Sequence, residues 1–393
     1  MSDTRSAAIL YCPHHYDALR VQAMGIARGL VARGFQVDLL NVKENEHRAR
    51  AFSKRSNYEF AIGMGAQTIK AKRFLFPLYK RCGRRFYYYL LDPIIHDANR
   101  IDSVLTYIRD AKADGRLHFV FPDRSYADLL AGIVPGERIS YLPFGAICEN
   151  GEGNYVERTK RFAVFGTIGK QLGKVGEGDL KENIRHSCKG RLSEQQVVRL
   201  AESIQDPTKR ANVAANMVEV LNIDFETILA QPLLRTATTI DSFEKNRRRL
   251  AIVAELGDVP VDFYGAGWAE HLPQTAHHRY MHSVPYEDLA RSMPRYHSVV
   301  NFDPNWDDGF HDRVYSALGS GCYVLTNENR ALVDLGQHGA GSIVTYNAIT
   351  PRARETAAEL LSRPIMDPSS AVNFQRRFSW EARVARWLEQ SGV

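Results

Sequence analysis

Short apolar runs alternate with amphipathic helical patterns along most of the chain. The first apolar run, 7–11, is followed by a polar turn, a helical periodicity that reaches Arg33, then Gly34 and a second apolar run at 35–40. This order of elements predicts a βαβ unit and therefore a parallel sheet. Further strands are predicted at 60–64, 86–91, 118–121 and 139–142. These elements indicate one α/β domain over residues 1–147.

A polar, glycine-rich stretch follows and predicts a linker at 148–160. The α/β pattern resumes in a second domain, predicted over 161–377 and interrupted by a helical insertion at about 178–238 with helices at 192–204 and 211–229. The remaining predicted elements are strands at 162–165, 261–264, 298–302 and 322–326, helices at 242–256, 286–293 and 311–318, and a closing carboxyl-terminal helix at 378–393. The predicted fold class is α/β, with two Rossmann-like domains in series that face a cleft.

The composition is that of a soluble globular protein, with 44% hydrophobic, 24% charged and 10% aromatic residues. These fractions argue against collagen-like and disordered chains, and no apolar run is long enough to span a membrane. The amino terminus is polar and lacks a secretion signal, so a cytoplasmic protein is expected. The five cysteines are scattered without a CxxC pair, which predicts free thiols and no structural zinc.

The segment 301–325 has the highest concentration of candidate functional residues. It contains a predicted strand, a loop rich in carboxylates, a helix, and a glycine turn that leads into a second strand. Ligands of parallel sheets bind beyond the carboxyl ends of the strands. The free N–H groups at the helix start and the guanidinium of Arg313 would favour a phosphate there. In the alternative interpretation Asp307 and Asp308 only cap the helix and Arg313 pairs with an acid.

Two glycine-rich turns are further candidates for ligand contact. Gly265 and Gly267 would let the backbone approach a ligand, and the indole of Trp268 could pack on a base or sugar; the alternative is a tight turn with Trp268 in the core. The second turn follows the strand at 162–165, and Gly166, Thr167 and Lys170 could contact a diphosphate. Its alternative is a plain entry to the insertion, since the P-loop spacing is absent.

Residues 242–390 resemble the carboxyl-terminal part of GT-B glycosyltransferases, in particular the CgeB-like spore-maturation branch. The similar motifs are the arginine-rich helix at 247–250, the strand ending in Gly-x-Gly-Trp at 261–268, the turn at 282–286, the helix start at 313–318 and the ending at 378–383. The resemblance implies a GT-B fold and transfer of a sugar from a nucleotide-sugar donor, with the donor held mainly by the second domain. It implies no cofactor and no obligatory metal.

The donor-binding residues that follow from the turns, the helix start and this resemblance are Gly166, Thr167, Lys170, Arg247, Gly265, Gly267, Trp268, Ser283, Val284, Asp308, Gly309, Phe310, His311, Arg313 and Ser316. One of them departs from the family pattern. Retaining members have two acids eight positions apart, and here Asp308 is followed by Ser316. Since the second acid holds the donor ribose in the family, the resemblance implies altered donor recognition or a weakened enzyme.

The candidate catalytic residues are Asp308 and, on the acceptor side, His14, His15 and Asp92. The histidines follow the first strand and Asp92 follows the strand at 86–91, so all three are expected near the cleft. Histidine titrates near neutrality and could deprotonate an acceptor hydroxyl in an inverting reaction, whereas a retaining reaction needs no such base. Taken singly, each of these residues is equally explained as a helix cap or a surface group.

The formal net charge is only +6, but cations are concentrated between aromatic residues at 70–85. This segment could contact an anionic membrane peripherally, which would place the protein at the inner face of the membrane, or bind a lipid-linked acceptor. A nucleic acid is a less expected partner, and a solvated basic surface is the alternative. The acceptor itself, a glycan, a protein or a lipid-linked molecule, is not identified by the sequence.

Two other functions remain open at this point. A nucleotide-sugar epimerase would have a similar two-domain architecture and would act without an acceptor. A sugar-nucleotide-binding protein with a degenerate catalytic site is the other alternative, and Ser316 is the observation that favours it.

Overall fold

The structure of the protein is a computed structural model. The described residues are 5–12, 17–43, 58–65, 85–98, 108, 115–148, 157–168, 180–230, 233–272, 275–303, 305–336, 341–349 and 351–393. The chain divides into two compact units. The first unit comprises Met1–Gly145 and Phe378–Val393, and the second comprises Ala146–Arg377. The predicted linker at 148–160 falls largely on positions outside the described residues.

The first unit is built on a six-stranded sheet of order β2-β1-β3-β4-β5-β6, in which every pairing is parallel. Its strands are β1 (Ser6–Tyr11), β2 (Gln36–Asn41), β3 (Phe60–Met64), β4 (Arg85–Tyr89), β5 (Leu117–Phe121) and β6 (Ile139–Tyr141). The helices described in this unit before the closing segment are α1 (Ala18–Val31), α2 (Ile94–Ala98) and α3 (Arg124–Ala131). The apolar runs predicted as strands therefore form the strands of one parallel sheet.

Glycines allow the end of the chain to pack closely into the first unit. The last helix of the chain begins after Ser379, which caps it, and the first residue of this helix, Trp380, is 1% exposed. A Cβ at Gly25 would collide with the Trp380 indole, and one at Gly29 would lie 2.7 Å from Val384. Since side chains would hold the helices apart at both positions, these α1 glycines are needed for close packing.

The second unit has its own six-stranded parallel sheet, of order β12-β11-β10-β7-β8-β9. Its strands are β7 (Thr159–Phe165), β8 (Val261–Tyr264), β9 (His278–Met281), β10 (Tyr296–Val300), β11 (Tyr323–Asn327) and β12 (Ile343–Tyr346). The sequence did not predict β9 and β12. Both are four-residue edge strands with partly exposed side chains, so neither forms a long apolar run.

The helices from the insertion onward are α4 (Leu180–Cys188), α5 (Glu194–Gln205), α6 (Val213–Leu221), α7 (Phe225–Leu229), α8 (Leu233–Leu256), α9 (Trp268–His271), α10 (Tyr286–Ser292), α11 (Asp312–Gly319), α12 (Leu332–Leu335), α13 (Arg354–Ser362), α14 (Pro368–Phe378) and α15 (Trp380–Ser391). The helix predicted at 211–229 is two helices. Asn222 ends α6 in a left-handed conformation, and Asp224 caps α7 by accepting a hydrogen bond from the Thr227 N–H. The predicted end of the insertion, residue 238, falls inside α8.

One face of the second sheet packs on α8 and α13 through a continuous apolar cluster. Phe162, Val164 and Phe263 contribute from the sheet, and Ile252 and Leu256 contribute from α8. This packing fixes the rotation of α8 about its axis, and so determines which of its polar residues face the ends of the strands. Among the described residues, none of the helices is both long and apolar enough to cross a membrane.

Candidate functional site

The candidate site lies at the carboxyl edge of the second sheet, where the strands end in the loops that the sequence singled out. Residues 166–168 follow β7, 265–267 follow β8, 282–285 follow β9 and 301–311 follow β10. We call residues 301–303 and 305–311 the acidic loop. Because neighbouring parallel strands end on the same side of a sheet, these loops are grouped along one edge.

Asp303 organises the acidic loop. Its backbone N–H donates to Asn327 Oδ1 (2.8 Å), and its Oδ2 accepts hydrogen bonds from the His311 N–H (2.8 Å) and from Asn301 Nδ2 (2.6 Å). The Asp303 residue is only 4% exposed. A buried carboxylate therefore binds the backbone just before α11 and fixes where that helix begins.

A second anchor of the acidic loop is Asn329, which sequence reasoning did not single out. Its Oδ1 accepts from the Gly309 and Ala331 N–H groups (3.1 and 2.9 Å), and its Nδ2 donates to the carbonyls of Gly309 (2.7 Å) and Trp306 (3.1 Å). The backbone N–H and carbonyl of Gly309 therefore both form hydrogen bonds with the Asn329 side chain. The available signal was the Asn-Glu-Asn sequence at 327–329, which begins at the last residue of β11.

Asp307 faces the helical insertion. It is 8% exposed, and its Oδ1 accepts from the N–H groups of Ala211 (2.8 Å) and Asn212 (3.3 Å) at the start of α6. Burial raises the pKa of the Asp307 carboxyl. Asp307 therefore does not cap α11; it connects the acidic loop to the start of α6. The next residue, Asp308, is half-buried.

Two guanidinium groups lie close to the acidic loop. The Arg313 side chain is 13% exposed, and its Nη2 lies 3.8 Å from Asp303 Oδ1. Arg249 donates from Nη1 to the Thr167 carbonyl (3.0 Å) in the loop after β7. Burial and the positive charge of Arg313 lower the pKa of Arg249 to about 10, so the Arg249 side chain is still charged at neutral pH.

The three successive arginines of α8 point in different directions, as 3.6 residues per turn requires. Arg247 pairs in bidentate fashion with the buried Glu244 (2.9 and 2.8 Å). Arg248 is 2% exposed and donates to the carbonyls of Ala211 and Ile204. Arg249 is the arginine of this run that reaches the loop after β7. The sequence prediction named Arg247, whereas the geometry favours Arg249 as the cation of the site.

Lys245 adds a third cation, because it precedes Arg249 by four residues and lies on the same face of α8. Together with burial, the charges of Arg313, Lys245 and Arg249 lower the pKa of His311 well below its ordinary value. We call Lys245, Arg249 and Arg313 the basic cluster. The His311 ring lies 5.8 Å from that of Trp306, and its Nδ1 contacts the Asp312 carboxylate.

The loops after β7 and β8 stay paired beyond the strands. The Gly166 N–H donates to the Tyr264 carbonyl, and the Ile168 N–H donates to the Ala266 carbonyl, both at 3.0 Å. Gly265 and Gly267 have φ values of 126° and 89°, and a Cβ at either position would collide with a backbone carbonyl of the neighbouring loop. Both glycines are therefore required for the approach of the two loops to each other.

Trp268 is part of the core. It is 1% exposed, packs on Phe263 and Phe302, and donates from Nε1 to the Gly166 carbonyl (2.8 Å). Its indole therefore has no face available for a base or sugar, which corrects the sequence prediction for this residue. The structure agrees with the alternative interpretation, a tight turn with the tryptophan in the core, because Trp268 is part of the buried apolar cluster of the second unit.

The remaining predicted donor residues differ in exposure. Ser283 is exposed and Val284 half-buried after β9, whereas Phe310 is fully buried against Tyr315. Ser316 is 5% exposed, and its Oγ accepts a hydrogen bond from the Ile147 N–H (3.1 Å). At the position where the family pattern has an acid, the side chain is thus bound to the backbone.

Three of the candidate residues belong to segments that the structure does not describe. His14, His15 and Lys170 are outside the described residues, as is all of the basic segment 70–85 except Arg85. Asp92 is exposed in the turn after β4 of the first unit. Within the part of the chain that is described, no group of three or more His, Cys, Asp or Glu side chains could hold a metal ion.

Comparison with known proteins gives a family match for the carboxyl-terminal part and a fold match for the whole chain. Residues 245–389 match the family described as "Glycosyl transferase-like". AviGT4, a glycosyltransferase involved in avilamycin A biosynthesis, has a similar structure, with a TM-score of 0.52 and 11% identity over 99% of this chain and 97% of that chain.

HepE of Anabaena, solved in complex with UDP-glucose, has a TM-score of 0.52 and 10% identity, covering 99% of this chain and 100% of that chain. At such identities the likeness establishes the fold alone, and it confirms the predicted architecture of two Rossmann-like domains. No curated protein sequence matches the chain significantly.

Proposed function

We propose that this chain, a glycosyltransferase of the GT-B fold with a glycosyl transferase-like carboxyl-terminal part, binds its nucleotide-sugar donor at the carboxyl edge of the second sheet and transfers the sugar without a metal ion. The observation that carries this proposal is the basic cluster. It brings positive charge from two helices, α8 and α11, to the loops where ligands of parallel sheets bind.

The chemistry of sugar transfer explains why cations are needed there. When the bond between the sugar and the donor diphosphate breaks, negative charge develops on the departing phosphate oxygens. Cations fixed in a poorly solvated site stabilise that charge without rearranging during the reaction. Arg249 and Arg313 are held by the Thr167 carbonyl and by Asp303, so they are positioned before the donor binds.

The donor-side residues of the proposal follow from the geometry. Arg249, Arg313 and Lys245 would contact the diphosphate, and the backbone of 166–167 and 265–267 would lie beside it. Ser283 and Val284, after β9, would contact the nucleoside side of the donor, since they follow the edge strand beyond β8. Lys170 remains a proposed diphosphate ligand.

The catalytic assignments are also part of the proposal. Asp308, which is half-buried within the acidic loop, would face the transferred sugar. His14, His15 and Asp92, which belong to the first unit, would act on the acceptor hydroxyl. Membership of the CgeB-like branch and a peripheral contact of residues 70–85 with an anionic membrane complete the proposal, and the acceptor would be a glycan, a protein or a lipid-linked molecule.

A second candidate function is a donor-binding protein without transferase activity. The specific observation in its favour is Ser316, whose Oγ is bound to the Ile147 N–H where the family pattern has an acid. Measurement of turnover separates the two functions, because both predict donor binding.

The experiment is a screen of nucleotide-sugars for thermal stabilisation, followed by transfer assays with the donor that binds. A ligand that binds only the folded state raises Tm by an amount that grows with its concentration over Kd. UDP-glucose is the first member of the panel, because HepE, which shares the fold, was solved with it. Transfer that persists with EDTA supports the metal-free reaction, and epimerised donor formed without acceptor would contradict the transferase assignment.

A further inference from the structure

The backbone around Asp308 is held by hydrogen bonds from outside the acidic loop. On one side of Asp308, the Asp307 carbonyl accepts a hydrogen bond from the Arg330 N–H (2.9 Å). On the other side, the N–H and carbonyl of Gly309 are bound by the Asn329 side chain (3.1 and 2.7 Å). The residues that flank Asp308 are therefore attached to the segment that follows β11.

The Asp307 side chain attaches the same loop to the helical insertion. Its Oδ1 accepts hydrogen bonds from the N–H groups of Ala211 (2.8 Å) and Asn212 (3.3 Å). Its Oδ2 is buried and has no hydrogen-bond partner in the part of the chain that the structure describes. The Asn212 side chain caps α6 by accepting from the Ala215 N–H (3.2 Å). Oδ1 is therefore the atom through which Asp307 binds the start of α6.

The carbonyl of Ala211 is bound by α8. It accepts a hydrogen bond from Arg248 Nη1 (3.0 Å), and Nη2 of the same guanidinium donates to the Ile204 carbonyl (3.0 Å) near the end of α5. Arg248 Nε lies 3.2 Å from the carboxylate of the buried Glu244. The turn between α5 and α6 therefore connects the acidic loop to α8, the helix that carries two of the three cations of the basic cluster.

We propose that Asp307 is a positioning residue of the transfer reaction: by binding the insertion, it sets where the Asp308 carboxylate lies relative to the basic cluster. The inference rests on the proposed function, in which Asp308 faces the transferred sugar. Asp307 and Asp308 share a planar peptide group, so a displacement of the first residue also displaces the second. A displacement of about 1 Å can slow a reaction roughly a hundredfold. Asp307 acts through Asp308, because its own carboxylate is bound to the insertion.

The proposal requires a hydrogen-bond acceptor at position 307 and not a negative charge. Asparagine has the same shape and keeps an oxygen at the Oδ1 position, so Asp307→Asn retains both hydrogen bonds to the insertion. Asp307→Ala removes the acceptor of the Ala211 and Asn212 N–H groups. The matched control is Asp224→Ala, because Asp224 also caps a helix of the insertion, by accepting from the Thr227 N–H (2.7 Å), and is exposed.

The test measures hydrolysis of UDP-glucose by the full chain, with water as the acceptor, and the Kd of UDP by calorimetry. Asp307→Ala should lower kcat about tenfold to a hundredfold and leave the Kd of UDP within about threefold of wild type. Asp307→Asn and Asp224→Ala should keep kcat within about threefold of wild type. An unchanged kcat in Asp307→Ala overturns the proposal. A large loss of kcat in Asp307→Asn also overturns it, even where Asp307→Ala is too unstable to assay.

A double-mutant cycle tests whether Asp307 acts through Asp308. Asp308→Asn alone should slow hydrolysis, and adding Asp307→Ala to it should lower kcat by less than about twofold more, because the carboxylate to be positioned is already absent. A merely structural effect would be additive. The same fold-loss from Asp307→Ala in wild type and in Asp308→Asn would therefore overturn the proposal.

Amide hydrogen exchange distinguishes failure of this inference from failure of the proposed function. In Asp307→Ala the amide hydrogens of Ala211 and Asn212 should exchange at least about tenfold faster than in wild type, because their acceptor is gone. Unchanged exchange in an enzyme that turns over UDP-glucose rejects the role of Asp307 alone. Wild-type protein that binds no nucleotide-sugar of the panel rejects the proposed function, and with it any role of Asp307 in transfer.

Discussion

At the scale of single residues, the choice among the arginines of α8 can be tested directly. Arg249→Ala removes a guanidinium from the basic cluster, whereas Arg247→Ala removes one that is paired with Glu244, three positions earlier on the same helix. Charge-assisted hydrogen bonds contribute about 1.5–3 kcal/mol, so Arg249→Ala should weaken donor binding by roughly tenfold to a hundredfold. Calorimetric Kd values for both variants check this.

Arg247→Ala serves as the control for Arg249→Ala. It should leave donor affinity within about twofold of wild type, because Arg248 continues to pair with Glu244 at 3.2 Å. An unchanged Kd in Arg249→Ala together with a weakened one in Arg247→Ala would reinstate the assignment made from the sequence.

A second residue-scale prediction concerns Ser316. Its Oγ accepts from the Ile147 N–H, and the residue is 5% exposed, so a glutamate there would bury a carboxylate where a hydroxyl now fits. Ser316→Glu should lower the free energy of unfolding by about 1–3 kcal/mol and should not improve donor affinity. Chemical denaturation and donor titration measure the two effects.

The milder substitution Ser316→Ala separates loss of the hydrogen bond from introduction of charge, and should cost about 1 kcal/mol. Tighter donor binding by Ser316→Glu, with an unchanged free energy of unfolding, would show instead that this side chain has access to the donor and that an acid is functional there.

At the scale of elements, the loops after β7 and β8 depend on backbone contact. Gly265→Ala would place a Cβ against the Gly166 carbonyl at a φ of 126°, so both the paired loops and the backbone conformation are strained. We expect a loss of stability of at least about 1–3 kcal/mol and weaker donor binding, measured by denaturation and calorimetry.

Gly336→Ala is the matched control for this effect. Gly336 also has a positive φ, 51°, but no atom lies within 4 Å of an added Cβ. The backbone of Gly336 (φ 51°, ψ −143°) is in a region that only glycine adopts readily, so its substitution should cost about 1–3 kcal/mol through backbone strain alone and should leave donor binding intact. Equal losses at the two positions would mean that the contact between the loops contributes nothing.

At the scale of the whole molecule, the basic segment 70–85 can be tested without disturbing the donor site. Lys80, Arg81 and Arg84 changed together to serine should weaken binding to anionic vesicles and leave donor affinity unchanged. Arg85 is left in place because it opens β4 and donates to the Ser391 and Gly392 carbonyls.

The measurement for this segment is vesicle co-sedimentation at two salt concentrations, with neutral vesicles as the control. Binding through surface charge should fade as the Debye length falls from about 10 Å at 0.1 M to about 3 Å at 1 M. If wild-type protein does not co-sediment with anionic vesicles at low salt, the segment is only a solvated basic surface.

The sequence by itself determined the two parallel sheets and the edge that carries the candidate site. Strands predicted from local apolar runs, such as 60–64 and 261–264, are strands in the structure, because burial on both faces of a parallel sheet leaves a continuous apolar signature. The loops after β7, β8 and β10 were located for the same reason. The position of a strand or a loop depends mainly on residues that are close in the sequence, so the local sequence is sufficient to predict it.

Only the tertiary structure decided which side chains occupy that edge. Arg249 contacts Thr167 across 82 positions, Asp307 contacts Ala211 across 96, and Ser316 contacts Ile147 across 169. No local pattern records such pairings, because the rotation of a helix depends on the apolar cluster it packs against. The same packing buried Trp268, turned Arg249 toward the loops and left Arg247 with Glu244.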